Sequence, residues 1–403
     1  MNCRRCTYSG AYVIPLDMNI LLLDAHTVQS ISVARSLKEN GHVIFGFIES
    51  RLSYGYVSRF VDHKILCPIL RDAPSEYLNF LVDFLGKNPQ DVIIPMYNDS
   101  AELLSQNKER IENSFSVKCA IPHYDTFIKA HDKERLMDVC KQRSFPHPRT
   151  AFLSSKNLHE VVSYVGFPAL IKPNISSGAR GIMLVHEEKE LLDKWPAIER
   201  DFGRCTLQEY VDHTGIYYNV MLYRDKSGGC HEAVIIRIMR YFPLKGGTSC
   251  YCETIQNETL VCICKDILDA LDWVGFADFD IMESKSGEYK VIEINPRVPA
   301  SIHAAYIAGV NYPEMIVHDM KDEPILTYTY HIGKVLRFWG LDVMWFIFSP
   351  QRFSSHPSWF CFLGKNIFYQ DGSLKDPLPM LMGILSGLVK YLNPSFRKSK
   401  LRS

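Results

Sequence analysis

The sequence predicts an α/β region built on a parallel sheet, followed by an α+β region. Three observations predict it. Residues 19–24, 30–40 and 42–48 read as strand, helix and strand, the rhythm of a parallel sheet. Residues 166–173 and 182–185 read as two apolar strands around a Ser/Gly-rich loop. Residues 276–282 and 289–294 are apolar runs on either side of Ser284-Lys285-Ser286-Gly287, a turn cluster that makes them a β-hairpin.

The chain has 403 residues, 47% hydrophobic and 22% charged, enough for two or three packed domains. Its formal charge is zero, which excludes nucleic-acid binding driven by overall charge. The balance is uneven, because residues 331–403 hold ten Lys plus Arg against three Asp plus Glu. The twelve cysteines are scattered and several sit in apolar runs, the usage of a reducing cytoplasm. Cys3 and Cys6 form a single C-x-x-C with no second pair at metal-site spacing. Residues 1–17 read as an unstructured leader without a signal-peptide core, and the chain has no apolar run long enough to span a membrane.

Taken in order, the first βα turn is Asp24-Ala25-His26-Thr27 and lacks G-x-G-x-x-G, so it makes no dinucleotide site. A strand at 91–95 ends in Tyr97-Asn98-Asp99-Ser100 before a helix at 101–107, where these polar groups either cap the helix or face a ligand crevice. A helix is expected over 127–145, with Lys133 in its first turn. Lys172 ends a buried strand and precedes Ser176, Ser177, Gly178 and Gly181, whose backbone amides could wrap phosphates. A short strand follows at 207–212. The next, at 232–239, carries Arg237 and leads to Arg240 and Lys245, positive charge suited to a transferring phosphoryl group. A helix over 259–271 precedes the hairpin.

A four-residue turn pairing Glu283 with Glu288 sets Asp280 opposite Val291. Asp278, Asp280, Glu293 and Asn295 then share one face, and Phe279, Ile281, Ile292 and Ile294 the other. Clustered carboxylates repel unless a cation joins them, and hard oxygen ligands suit Mg²⁺. The plainer alternative is a solvated hairpin face.

Residues 291–301, Val-Ile-Glu-Ile-Asn-Pro-Arg-Val-Pro-Ala-Ser, resemble the metal-binding strand of the ATP-grasp superfamily, in the branch of the carbamoyl phosphate synthetase large chain and biotin carboxylase. The resemblance covers about residues 18–312. It implies a Rossmann-like preceding domain (18–120), a first ATP-grasp subdomain with a glycine-rich lid (121–205), a second with the metal site (206–327), and a C-terminal extension (328–403). It also implies ATP and Mg²⁺, or Mn²⁺ in its place, with Asp280, Glu293 and Asn295 as metal ligands. Lys133 and Lys172 become the ATP lysines, Ser176 to Gly181 the lid, and Glu209, Tyr210 and Val211 the adenine hinge. Arg297 faces the phosphoryl or acyl phosphate, joined by Arg237. The implied reaction is phosphorylation of a small-molecule carboxylate, then attack by an amine or similar nucleophile. Alternatives are an enzyme of the carbamoyl-phosphate or carboxylase type acting on bicarbonate, and a nucleotide-binding scaffold. A homodimer is one assembly open to it. For residues 328–403 the reading is that aromatics cover the core and the basic tail is solvated, with a weak peripheral membrane contact as the rival.

Overall fold

The structure, a computed structural model, describes residues 17–175, 180–244, 247–373 and 375–392. The expected leader up to residue 16, Ser176, Ser177, Gly178 and Lys245 lie outside the described residues.

The first sheet is parallel, with β1 (Asn19–Leu22), β2 (Val43–Ile48), β3 (His63–Leu66), β4 (Val92–Ile94) and β5 (Lys118–Cys119) in the order β3-β2-β1-β4-β5. Residues 20–22 of β1 and all of β4 are aliphatic and buried, as a helix-covered parallel sheet requires. The order reverses between β1 and β4, which opens a crevice at their carboxyl ends. The helix expected over 127–145 is two helices, Tyr124–His131 and Lys133–Arg143. Asp132 breaks them, its carboxylate accepting the N–H groups of Glu134 and Arg135 at 2.9 and 3.2 Å, an N-cap that places Lys133 at the first helical position.

A four-stranded antiparallel sheet follows, with β6 (Thr150–Phe152), β7 (Ala169–Pro173), β8 (Met183–Val185) and β9 (Cys205–Glu209) in the order β6-β9-β7-β8. It has its own core around Ile171, Trp195 and Leu207. The subdomain boundary expected at residue 205 falls inside β9, because Leu207 pairs with Ile171 and packs into that core.

The third sheet contains β10 (His213–Arg224), β11 (Val234–Phe242), β12 (Thr248–Ile255), β13 (Gly275–Ser284), β14 (Tyr289–Asn295), β15 (Val335–Arg337) and β16 (Ile367–Tyr369), ordered β14-β13-β10-β11-β12-β15-β16. The C-terminal region therefore adds two strands to this sheet. It is also riveted from within. Asp342 is fully buried and accepts from Arg240 Nε at 2.8 Å and Arg337 Nε at 2.9 Å. Arg240, offered by the sequence as a charge for the phosphoryl group, is thus committed to a buried ion cluster.

The hairpin register differs from the expected one. Glu283 pairs with Tyr289, and a β-bulge between Asp280 and Ile281 then sets Asp280 opposite Glu293 and Asp278 opposite Asn295. The extra residue is Ile292, so Val291 and not Ile292 joins Phe279, Ile281 and Ile294 in the core. A bulge inserts one residue on one strand and shifts everything beyond it, which alternation alone cannot reveal. The four polar side chains keep their common face.

Candidate active site

The site is assembled on the β10-β13-β14 ribbon, where Asn219, Asp280 and Glu293 lie in one cross-strand row. Asn219 donates to Asp280 Oδ1. Asn295 Nδ2 donates at 3.3 Å to both Asp278 and Asp280, and its Oδ1 accepts from Arg297 Nη2 at 3.1 Å. Arg297 Nε donates in turn to Asn98 Oδ1 at 2.9 Å. This ties the metal-type strand to the carboxyl end of β4.

Two lysines approach from other elements. Lys133 is buried and reaches Glu293 Oε2 at 3.2 Å. Lys172, buried on β7, lies near enough to feel Glu293, Lys133 and Asp280; burial foremost pulls its ammonium down to about 8. The carboxylates divide sharply. Burial, with Glu293 and Asp278 beside it, pushes Asp280 well above the usual carboxylate range. Burial works to raise Glu293 too, but Lys133, a hydrogen bond from Asp280 and Lys172 hold it at about 2. Three carboxylates, Asp278, Asp280 and Glu293, thus share one face of the hairpin. Asp278 Oδ1 is buried without a hydrogen-bond partner. Clustered hard oxygen donors, one of them without a partner, fit a Mg²⁺-sized cation, held by Asp280 and Glu293 and by Asn295 once its oxygen leaves Arg297.

Lys133, Lys172, Asp280, Glu293, Asn295 and Arg297 are therefore brought together. Arg237 is not. It pairs across β10 with Tyr218, one residue out of step with the Asn219–Asp280 row, so it projects from the opposite face, where it binds Glu253 at 3.0 Å. Strand parity decides this, and it corrects the catalytic role expected for Arg237. Gly181 has a packing reason: at φ +76° a Cβ would meet Pro173 Cγ at 2.7 Å.

The hinge residues lie at the far end of β9. Lys172 pairs with Thr206 and Ala169 with Glu209, so Glu209 sits about 10 Å along the strand from the lysine. The Glu209 carboxylate is engaged by Arg149 Nε at 2.5 Å, its N–H by the Arg149 carbonyl, and the Tyr210 N–H by the Pro168 carbonyl. Those two amides are taken by the sheet and its flank, which leaves the Glu209 side chain an ion-pair partner in this structure. The Tyr210 side chain is exposed, and Val211 is near-buried.

Sequence reasoning missed Asn219 and underrated Asn98, because neither stands in a motif; only the pairing of β10 with β13 and the Arg297 contact reveal them. It also passed over a polar cluster at the crevice of the first sheet. Asp24, His26 and Glu49 bring their ligand atoms within 4.8 Å of one another. Burial foremost pushes Asp24 up to about 7.

Residues 229–337 match the family model described as ATP-grasp in the biosynthetic pathway with Ter operon. The chain is 22% identical over 267 residues to a D-aspartate ligase of Enterococcus faecium, covering 61% of this chain and 63% of the relative. It is 24% identical to the carbamoyl phosphate synthase large chain of Sulfurisphaera tokodaii, over 66% of this chain and 26% of that one. The chain thus spans less than two thirds of these relatives. Among solved structures, the biotin carboxylase domain dimer of Hydrogenobacter thermophilus 2-oxoglutarate carboxylase, with MgADP, superposes at TM-score 0.67 and 17% identity, covering 79% and 74% of the two chains. The L-amino acid ligase of Bacillus licheniformis superposes at 0.59 and 15%, covering 76% and 74%.

Proposed function

We propose that this chain, whose fold is that of the ATP-grasp proteins, is an ATP-dependent ligase that joins a small-molecule carboxylate to an amine. The observation that carries the reading is the convergence of two lysines and an arginine, from three separate elements, on one oxygen cluster at Asp280, Glu293 and Asn295. The likeness to the D-aspartate and L-amino acid ligases supports the reaction class, and that to the complex with MgADP supports the nucleotide and the ion.

Lys172 and Lys133 would bind the phosphates, the hinge at 209–211 the adenine, and Arg297 the reacting carboxylate. A carboxylate oxygen attacks the γ-phosphorus and ADP leaves. The amine nitrogen then attacks the acyl carbon, phosphate leaves, and the nitrogen loses its proton. Mg²⁺ bound at Asp280, Glu293 and Asn295 would neutralise phosphate charge. The remaining contribution of the protein is positioning and charge complementarity. The crevice at Asp24, Glu49 and Asn98, joined to the site through Arg297, is where the acceptor would enter. The ten described cysteines are all unpaired thiols, which supports work in a reducing compartment such as the cytoplasm.

The test is ADP release from MgATP with carboxylates and amines supplied singly and in pairs, and with bicarbonate. Turnover that needs an organic carboxylate and rises with an amine supports the ligase. Turnover with bicarbonate alone would replace it with the carboxylase reading.

A further inference from the structure

We propose that Asn98 is a positioning residue, which holds Arg297 beside the oxygen cluster when the arginine's other partner, Asn295, turns to the metal ion. The inference rests on the ligase reading and adds to it a residue from the first sheet. Arg297 is gripped by two side-chain amides. Its Nε donates to Asn98 Oδ1 at 2.9 Å, across 199 residues of chain, and its Nη2 to Asn295 Oδ1 at 3.1 Å. One amide belongs to β14 and the other to the turn after β4. Both stand on fixed backbone. Asn98 is buried and opens the helix Asn98–Gln106. The turn before it is pinned by the buried Asp24 carboxylate, which accepts the Tyr97 N–H at 3.2 Å and the Ser100 hydroxyl. Next to Arg297, Val298 is buried in the core that also contains Met96, so the two supports pack on common ground.

The Asn295 contact is the one that must break. Its amide oxygen serves either a metal ion or the guanidinium, because two positive charges brought onto one oxygen repel each other. Asp278 and Asp280 lie near enough to feel Arg297, so that Lys133, Lys172 and Arg297 set three cations against three carboxylates. A divalent ion added to that balance leaves the arginine surplus, with its Nη2 edge released. The bond from Nε to Asn98 does not involve Asn295, and it keeps the planar group beside the cluster instead of letting it swing away. A guanidinium held by one edge offers the other to an oxyanion, the substrate carboxylate before phosphoryl transfer and phosphate after it. Metal–nucleotide complex and oxyanion then favour each other's binding, by the same factor in both directions.

The experiment is calorimetry of MgADP binding to the full chain, with and without saturating inorganic phosphate. Phosphate is expected to tighten MgADP binding to the wild type about fivefold or more. Asn98→Ala should lose most of that gain while melting within a few degrees of the wild type, since Ser100 and Asp24 hold the start of this helix. Asn98→Asp, whose carboxylate also accepts from Nε, should keep the gain. No gain in the wild type, or an equal gain in Asn98→Ala, would overturn the proposal. So would a gain lost in Asn98→Asp as well, which would trace it to the turn and not to the contact. None of these results touches the ligase reading, which fails instead if the wild type does not bind MgADP.

Discussion

At the residue scale the decisive feature is the crowding of three carboxylates, Asp278, Asp280 and Glu293, on one face of the β13–β14 hairpin. Lys172 is buried where its charge is costly, and under the proposed function ATP phosphates would compensate it. Lys172→Ala should weaken ADP binding by about 1.5 to 3 kcal/mol, the worth of a charge-assisted hydrogen bond, as read by calorimetry. Asp24 gives a pH signature. Its carboxyl lies at about 7 when folded against an ordinary 3.8, so between those values the folded state binds the extra proton. Stability contributed by the neutral acid is present at low pH and falls as pH rises toward 7, levelling above it. Asp24→Asn cannot ionise, so its melting temperature relative to wild type should rise by a few degrees from pH 4 to pH 8. A difference that stays flat over that range would show Asp24 to be unperturbed. Glu293 and Asn295 were readable in sequence because they alternate along β14, with Arg297 two residues past its end. Asn219 was not, since its role exists only through its neighbour on another strand.

At the element scale, strands and helices were legible because their apolar periodicity is local, while boundaries and register were not. The bulge at Ile292 is set by how β14 meets β13. The break at Asp132 turns on a cap that competes with a continuous helical pattern. Arg237 illustrates the cost: residue type suggested catalysis, and pairing with Tyr218 puts it on the other face. Arg240 is similar, because its partner Asp342 lies 102 residues away. That cluster joins β11, β15 and the helix Trp339–Phe348. Asp342→Ala would leave two buried guanidinium groups unpaired, and it should destabilise the protein by about 3 to 5 kcal/mol in denaturant unfolding. A loss below about 1 kcal/mol would mean that water reaches the arginines.

At the scale of the whole molecule, three sheets meet at the candidate site, and each contributes a part that the others lack. The parallel sheet offers Asn98 and the crevice, the four-stranded sheet Lys172 and the hinge, and the seven-stranded sheet the oxygen cluster. Their order along the chain was legible through the motifs. The addition of β15 and β16 to the third sheet was not, since strands of three residues carry no mark of their partner. The central claim is that Asp280, Glu293 and Asn295 hold Mg²⁺ against a nucleotide, and it can be tested without knowing the substrates. The measurement is ADP affinity by calorimetry with and without Mg²⁺, in the wild type and in Glu293→Gln. The account predicts that Mg²⁺ tightens ADP binding to the wild type, and that the variant melts within a few degrees of it but loses most of that tightening. An equal effect of Mg²⁺ on both proteins would contradict it.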